Sequence, residues 1–293
     1  MRWYYPILAA PIQVFFYLPL FVLYRFSDVI YVLMYYVIGY RRKVVRTNLT
    51  NAFPHYSTGK IIQIEKAYYK YMVDLIFETL KLISFTPKQL LGRMTFDEES
   101  TKLFHDRAKQ NKSCIMVLGH LGNWEWGGQA FGCLTNLHVT GIYHPLSSPF
   151  FEWLTYKFRS RYATRMIPMS TVLKVMMKEQ NEFRITAFIA DQTPLPEHAY
   201  WVNFLNQDTP VFTGTEKLAK RFNQSVIYAG CVKNGRGRYH VTFELITDNP
   251  AEFKEEELTQ IHTAMLERDI IKQPEIWLWS HKRWKHKRNP NNT

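Results

Sequence analysis

Cysteine is scarce in this chain. Its 293 residues include three, Cys114, Cys133 and Cys231, too few and too widely spaced for a disulfide framework or a thiolate zinc site. A reducing compartment is therefore expected. No stretch rich in proline, glycine or serine divides the sequence, so one catalytic domain with terminal additions is the simplest organisation. A P-loop, a dinucleotide fingerprint and a His-Glu-x-x-His helix are all missing. Their absence sets aside nucleotide hydrolysis, hydride transfer and helical zinc catalysis, and neither a protein-bound metal nor a bound cofactor is expected. Acid is also short: 25 Asp and Glu stand against 37 Lys and Arg, a formal charge of +12. Such an excess suits a nucleic acid, an anionic bilayer or an acidic soluble partner.

The residues that are abundant narrow the choice. Apolar residues make up 46% of the chain, which excludes a mainly disordered protein, and 16% are aromatic, enough to furnish apolar contact surfaces as well as a core. From Ile7 to Tyr24 the chain reads "ILAAPIQVFFYLPLFVLY", about the length of a helix that crosses a hydrocarbon layer. Pro11 and Pro19 interrupt it, and Arg25 and Asp28 separate it from a second run, "VIYVLMYYVIGY". No basic leader or small-residue cleavage site accompanies it, so a retained anchor, spanning or interfacial, is expected. The basic "RRKVVR" from Arg41 to Arg46 would hold that end at the cytoplasmic face. Residues 1–45 thus read as anchor and basic flank, and residues 46–293 as the catalytic domain.

Beyond the anchor, Ser57 or Thr58 caps a long amphipathic helix with apolar spacing through Leu80. From residue 113 short apolar runs alternate with helical ones. "CIMVLG", "HVTGIY", "ITAFIA" and "SVIYAG" predict strands, with helices near 149–160, 170–180 and 213–223; "YHVTFELI" is a further strand suited to an antiparallel place, followed by a helix over 251–270. The alternation predicts an α/β fold with a mostly parallel or mixed sheet flanked by helices. In open α/β sheets reactive groups gather at the carboxyl ends of strands. His120 follows "CIMVLG" and Asp191 follows "ITAFIA", so the two are expected at equivalent strand ends facing one crevice.

The segment "LGHLGNWEWGG" carries the clearest chemistry. Gly119 and Gly122 permit a tight loop, and Asn123 can cap a helix whose first turn contains Glu125. Such a loop would fold His120 back toward Glu125, whose carboxylate would fix the imidazole tautomer and support a general base. The competing reading is a histidine merely satisfied by Glu125 in a turn. The motif holds no serine or cysteine nucleophile, and Cys114 lies within a strand as a core thiol, so direct transfer to an acceptor is favoured over a covalent enzyme intermediate.

With these features in order, the sequence resembles the bacterial lysophospholipid-like acyltransferases that add late acyl chains to lipid A. The resemblance covers nearly the whole chain: the anchor, "YRRKVVRTNLTNAFP", "GHLGNWEW", "IYHPLSSPFFEWL" with "FRSRY", "IADQ" and "QPEIWLWSHKRWKHKR". It implies a glycerolipid-acyltransferase-like fold at the bacterial inner membrane, catalytic domain facing the cytoplasm, with His120 as general base and Glu125 as its partner. It further implies an acyl thioester on acyl carrier protein or coenzyme A as donor, and a phosphorylated glycolipid or other amphiphilic molecule as acceptor. Asn123, Arg159, Arg161, Asp191 and Arg283 become the candidate substrate-binding residues. An arginine fork suits phosphate, although residues two apart share no helix face, so at most one of Arg159 and Arg161 enters the site. Lys282, Arg283, Lys285, Lys287 and Arg288, interleaved with Trp277, Trp279 and Trp284, suit an anionic membrane, a phosphorylated lipid or an acidic carrier; without a nucleic-acid module, no nucleic acid is expected. Two departures leave the acceptor open. His144 stands where many relatives have arginine, and the region after Asp191 lacks their glycine-rich run. Another glycolipid or an aminolipid is the alternative acceptor; hydrolysis of a thioester, or lipid binding without turnover, are the other readings.

Overall fold

Pro19 decides how the amino-terminal apolar run folds. It lacks an amide proton and forces its predecessor out of the helical region, so Leu18 is extended at ψ 147° and α1 (Tyr5–Tyr17) ends there. A new helix, α2 (Leu20–Val32), begins beyond it and continues as a π-helical stretch, Leu33–Ile38, closed by left-handed Gly39 at φ 64°. Of the two prolines that interrupt the run from Ile7 to Tyr24, Pro19 breaks it, while Pro11 lies inside α1. Among the described residues, the helical segment long and apolar enough to cross a membrane is Leu20–Ile38, with Arg25 and Asp28 inside it. The computed structural model describes residues 3–162 and 164–288.

The two amino-terminal helices lie against the domain. Leu23, Tyr24 and Ser27 of α2 are buried, while Phe21, Phe26, Val29, Val37 and Ile38 leave an apolar outer face. The Lys81 ammonium donates to the Phe16 and Leu18 carbonyls, each at 2.9 Å, capping the end of α1 with a cation where the helix dipole is negative. Then come α3 (Arg42–Ala52) and α4 (Thr58–Lys81), the latter capped by Ser57, whose hydroxyl accepts from Lys60 N at 3.3 Å. Part of the basic flank turns inward: Arg46 forks onto the buried Glu65, with Nη2 at 2.9 Å, and Arg41 donates to the Ser280 carbonyl at 3.0 Å.

Three short elements follow, α5 (Pro87–Leu91), β1 (Met94–Phe96) and α6 (Glu98–Lys109). The alternating part comes next: β2 (Cys114–Leu118), α7 (Trp124–Thr135), β3 (Val139–Tyr143), α8 (Pro149–Arg159), β4 (Thr164–Pro168), α9 (Val172–Lys178) and β5 (Ile185–Ile189). A hairpin, β6 (Tyr200–Phe204) and β7 (Gln207–Val211), turns on left-handed Leu205 and Asn206. After it lie α10 (Gly214–Phe222), β8 (Ser225–Gly235), β9 (Arg238–Thr247) and α11 (Glu257–Lys272). The main sheet has seven strands in the order β1-β9-β8-β2-β5-β3-β4. Its pairs are parallel except β8 with β9, so β9 and β1 run against the other five and the sheet is mixed.

One register positions the chemistry. β2 and β5 pair in parallel with Leu118 opposite Ile189. His120 and Asp191 each lie two residues beyond that pair, so the sheet delivers both side chains to one edge.

Candidate active site

His120 Nδ1 lies 2.5 Å from Asp191 Oδ1. Asp191 is buried, and its other oxygen accepts from the His120 amide at 2.7 Å and from Trp277 Nε1 at 2.8 Å. Burial pushes this carboxyl up, but the neighbouring imidazole and the three hydrogen bonds outweigh it and hold the pKa down at about 2. A carboxylate can only accept, so the geometry puts the imidazole proton on Nδ1 and leaves the Nε2 lone pair free. The His120 ring also packs edge-on to Trp124, with centroids 4.8 Å apart, so its orientation is fixed from two sides.

Glu125 is not the partner of His120, which corrects the pairing read from the sequence. It stands in the first turn of α7 and faces Arg159 at the end of α8, whose Nε donates to its two oxygens at 3.0 and 2.9 Å, with Nη2 also on Oε1. The reason is helical geometry. Once Asn123 starts the helix, Glu125 turns away from the loop holding His120 and meets the Arg159 guanidinium. Burial alone would lower the pKa of Arg159, but Glu125 more than restores it.

The other candidates separate clearly. Asn123 caps α7 by accepting from Trp126 N at 2.9 Å, and its amide nitrogen donates to buried Glu78 at 2.8 Å, so both ends of the side chain are engaged inside the protein where it borders the cavity. Arg161 leaves the site, donating to the Leu82 carbonyl and stacking on Tyr162 at 4.8 Å. Only Arg159 of that pair faces the cavity, as the two-residue spacing requires. Arg283 is 1% exposed and donates to the Pro210 carbonyl at 2.6 Å; burial lowers its pKa to about 10, which Asp191 partly counters. It sits behind Asp191 as an internal charge and offers no surface to a substrate. Trp277 and Trp279 are likewise buried in the core, so the carboxyl-terminal segment is a strap under the active site, and among its described residues beyond Trp279 the exposed ones are Lys282, Lys285, Lys287 and Arg288. The histidine at the variable position, His144, stands exposed at the rim.

A cavity of about 330 Å³ opens from His120, Glu125 and Arg159 and runs into apolar walls formed by Met116, Phe131, Val139, Met166, Ile189 and Phe243. Gly127 and Gly128 expose the backbone of α7 along it, and a Cβ at Gly128 would meet no heavy atom within 4 Å. Gly122 is needed on two counts: its φ is +64°, and a Cβ there would lie 2.3 Å from Cys231 Sγ. Burial drives the Cys231 and Cys114 thiols up to about 12, which leaves neither as a nucleophile at neutral pH. Two amides of the glycine-rich loop are also spent, that of His120 on Asp191 and that of Gly122 on the Ile276 carbonyl at 3.0 Å. The loop is thereby a rigid support for the imidazole rather than an open row of donors.

An apolar cavity of this size has room for a hydrocarbon chain, and an imidazole of fixed tautomer beside it has the chemistry to accept a proton from a hydroxyl. Together they suit an enzyme that moves acyl groups between lipophilic partners. Residues 2–286 match the family model described as bacterial lipid A biosynthesis acyltransferase; the chain belongs to that family and is an acyltransferase. A protein of Haemophilus influenzae described as lipid A biosynthesis acyltransferase is 24% identical over 255 residues, which cover 83% of this chain and 76% of the relative. Membership implies an acyl-thioester donor and a lipid acceptor.

Proposed function

We propose that the protein transfers a fatty acyl chain from a thioester, carried by acyl carrier protein or coenzyme A, to a hydroxyl of a phosphorylated lipid A precursor at the inner membrane, with its catalytic domain on the cytoplasmic side. The observation that carries this reading is the His120–Asp191 pair at the mouth of the apolar cavity. His120 Nε2 removes the acceptor hydroxyl proton as the oxygen attacks the thioester carbonyl. The tetrahedral oxyanion collapses, the carbon–sulfur bond breaks, and the departing sulfur takes the proton back from Nε2. Asp191 stabilises the imidazolium formed between these steps. Arg159, held in place by Glu125, brings a cation to the cavity mouth for a phosphate oxygen of either substrate or for the oxyanion. The apolar outer face of α1 and α2 meets the bilayer from which the acceptor comes.

The test is mass spectrometry of purified enzyme in detergent with acyl carrier protein thioester and a phosphorylated lipid A precursor. A product heavier by one acyl chain, formed only with the precursor, supports the reading. Free fatty acid as sole product would make the enzyme a thioesterase instead. Acylation of an aminolipid or other glycolipid but not of the precursor would move the acceptor assignment and keep the chemistry.

If the cavity holds the acyl chain, narrowing it should shorten the chain it accepts. A leucine at Gly128 would fill open space along the wall and displace about three methylenes of bound chain, each contributing about 0.8 kcal/mol, so kcat/KM for the preferred donor should fall roughly fiftyfold. Donors about four carbons shorter should regain most of that loss. Competition among thioesters of graded length, with products weighed, checks it; an unchanged chain preference would place the acyl chain elsewhere.

A further inference from the structure

The segment from His120 to Trp126 is gripped from α4 at three points. Tyr71 donates to the Gly122 carbonyl at 2.6 Å, Glu78 accepts from Asn123 Nδ2 at 2.8 Å, and the Glu78 carbonyl accepts from Trp126 Nε1 at 2.7 Å. Glu78 is fully buried, and among the described residues no Lys, Arg or His nitrogen forms an ion pair with it. Two phenols complete its shell: Tyr239 of β9 donates to Oε2 and Tyr24 of α2 to Oε1, each at 2.8 Å. One carboxylate therefore joins the bilayer-facing helix, the central helix, the sheet and the cap of the active-site helix.

The seating of Tyr24 is itself built in. Gly237 has φ +64°, and a Cβ there would fall 2.0 Å from the Tyr24 hydroxyl. One turn before Glu78, Asp74 accepts from Ser27 at 2.6 Å and from Arg236, which also reaches Asp28 at 2.8 Å, so α2 is fastened a second time beside the first. A buried carboxylate without a cation is a costly way to fill space, and apolar residues of the same volume would stabilise the fold as well or better. A fully satisfied network of this kind instead specifies one arrangement of the elements it joins.

We propose that Glu78 is a positioning residue for the acyl-transfer site, and that through it the Tyr24 hydroxyl of α2 sets the turn carrying His120 and Glu125. The anchor is then part of the active-site scaffold as well as an attachment to the membrane. This inference rests on the reading of His120 as the base, but its own tests separate from that reading.

Tyr24→Phe removes one hydroxyl and leaves the packing. It is expected to lower kcat about fivefold with the KM of the acyl donor within twofold, and to quicken amide exchange over residues 119–126 while that of β5 stays as it was. Glu78→Gln is expected to lower kcat further. Asn123→Asp would face Glu78 with a second carboxylate and cost at least twentyfold, and the double variant Glu78→Gln with Asn123→Asp, which restores one donor and one acceptor in reversed sense, should recover to within fivefold of wild type. All rates are taken per folded molecule, with folded fraction from thermal unfolding. Unchanged kcat and exchange in Tyr24→Phe, or a double variant no better than Asn123→Asp alone, would overturn the proposal, as would losses fully accounted for by unfolding. Should Glu78→Gln fail to fold, Tyr24→Phe decides by itself. Retained activity in His120→Ala would instead discard the base assignment, and the exchange data would still report on the latch.

Discussion

Replacing His120 with alanine should lower kcat between about 100- and 10,000-fold, the range a positioned general base contributes, while the KM of the acyl donor changes little. The fold should survive. The side chain is 14% exposed, and its removal leaves the backbone amide of residue 120 and Trp277 Nε1 still donating to Asp191. Transfer rates with acyl carrier protein thioester and lipid acceptor, normalised to folded enzyme, check it. The loss should fall on kcat because the imidazole strengthens its interaction only as the hydroxyl proton moves. An alanine variant within tenfold of wild type would remove His120 from the chemistry and leave the cavity as a lipid-binding site.

Much of this arrangement could be read from the sequence, and the parts that could not share a physical cause. Strands β2, β3, β5 and β8 were legible because each is a short apolar run bounded by polar residues, and α4 because its apolar spacing is long and capped. The placing of His120 and Asp191 at equivalent strand ends was legible too, since it follows from alternation alone, and the register Leu118 with Ile189 realises it. Other features were not, the edge strand β4 among them. β1 is three residues long, too short to show a period, and α6 buries only Phe104 and Arg107, so no apolar stripe marks it. The hairpin β6–β7 sits in a polar, proline-bearing stretch where Asn206 is the one turn signal. The partner of His120 was misread because sequence proximity favoured Glu125, whereas contact is decided by neighbouring parallel strands 71 residues apart. The same limit hid Glu78: nothing in a helix sequence tells a buried carboxylate from a solvated one until its partners on α2, α7 and β9 arrive.

The corrected pairing has its own test in a comparison of Asp191→Asn with Glu125→Gln. In Asp191→Asn the amide oxygen would take over acceptance from the His120 amide and Trp277, which both bond one carboxylate oxygen, and the amide nitrogen would then face Nδ1. A donor in that place forces Nδ1 to accept, moves the ring proton to Nε2 and removes the base. The loss in kcat should approach 10,000-fold, the scale known for a tautomer reversed in this way. Glu125→Gln leaves the imidazole alone and loosens only Arg159; its kcat should fall about tenfold, with a rise in KM as the guanidinium loses its fork. Asp191 also has a signature in acid. Its folded pKa of about 2 lies below the ordinary 3.8, so the ionised form stabilises the fold above about pH 4, and that contribution, roughly 2 kcal/mol, is lost as pH falls toward 2. Asp191→Asn should therefore be less stable than wild type at neutral pH by about that order, yet lose less on acidification. A larger kcat loss in Glu125→Gln than in Asp191→Asn would return the role of orienting carboxylate to Glu125 and require the helix carrying it to turn toward His120 when substrate binds.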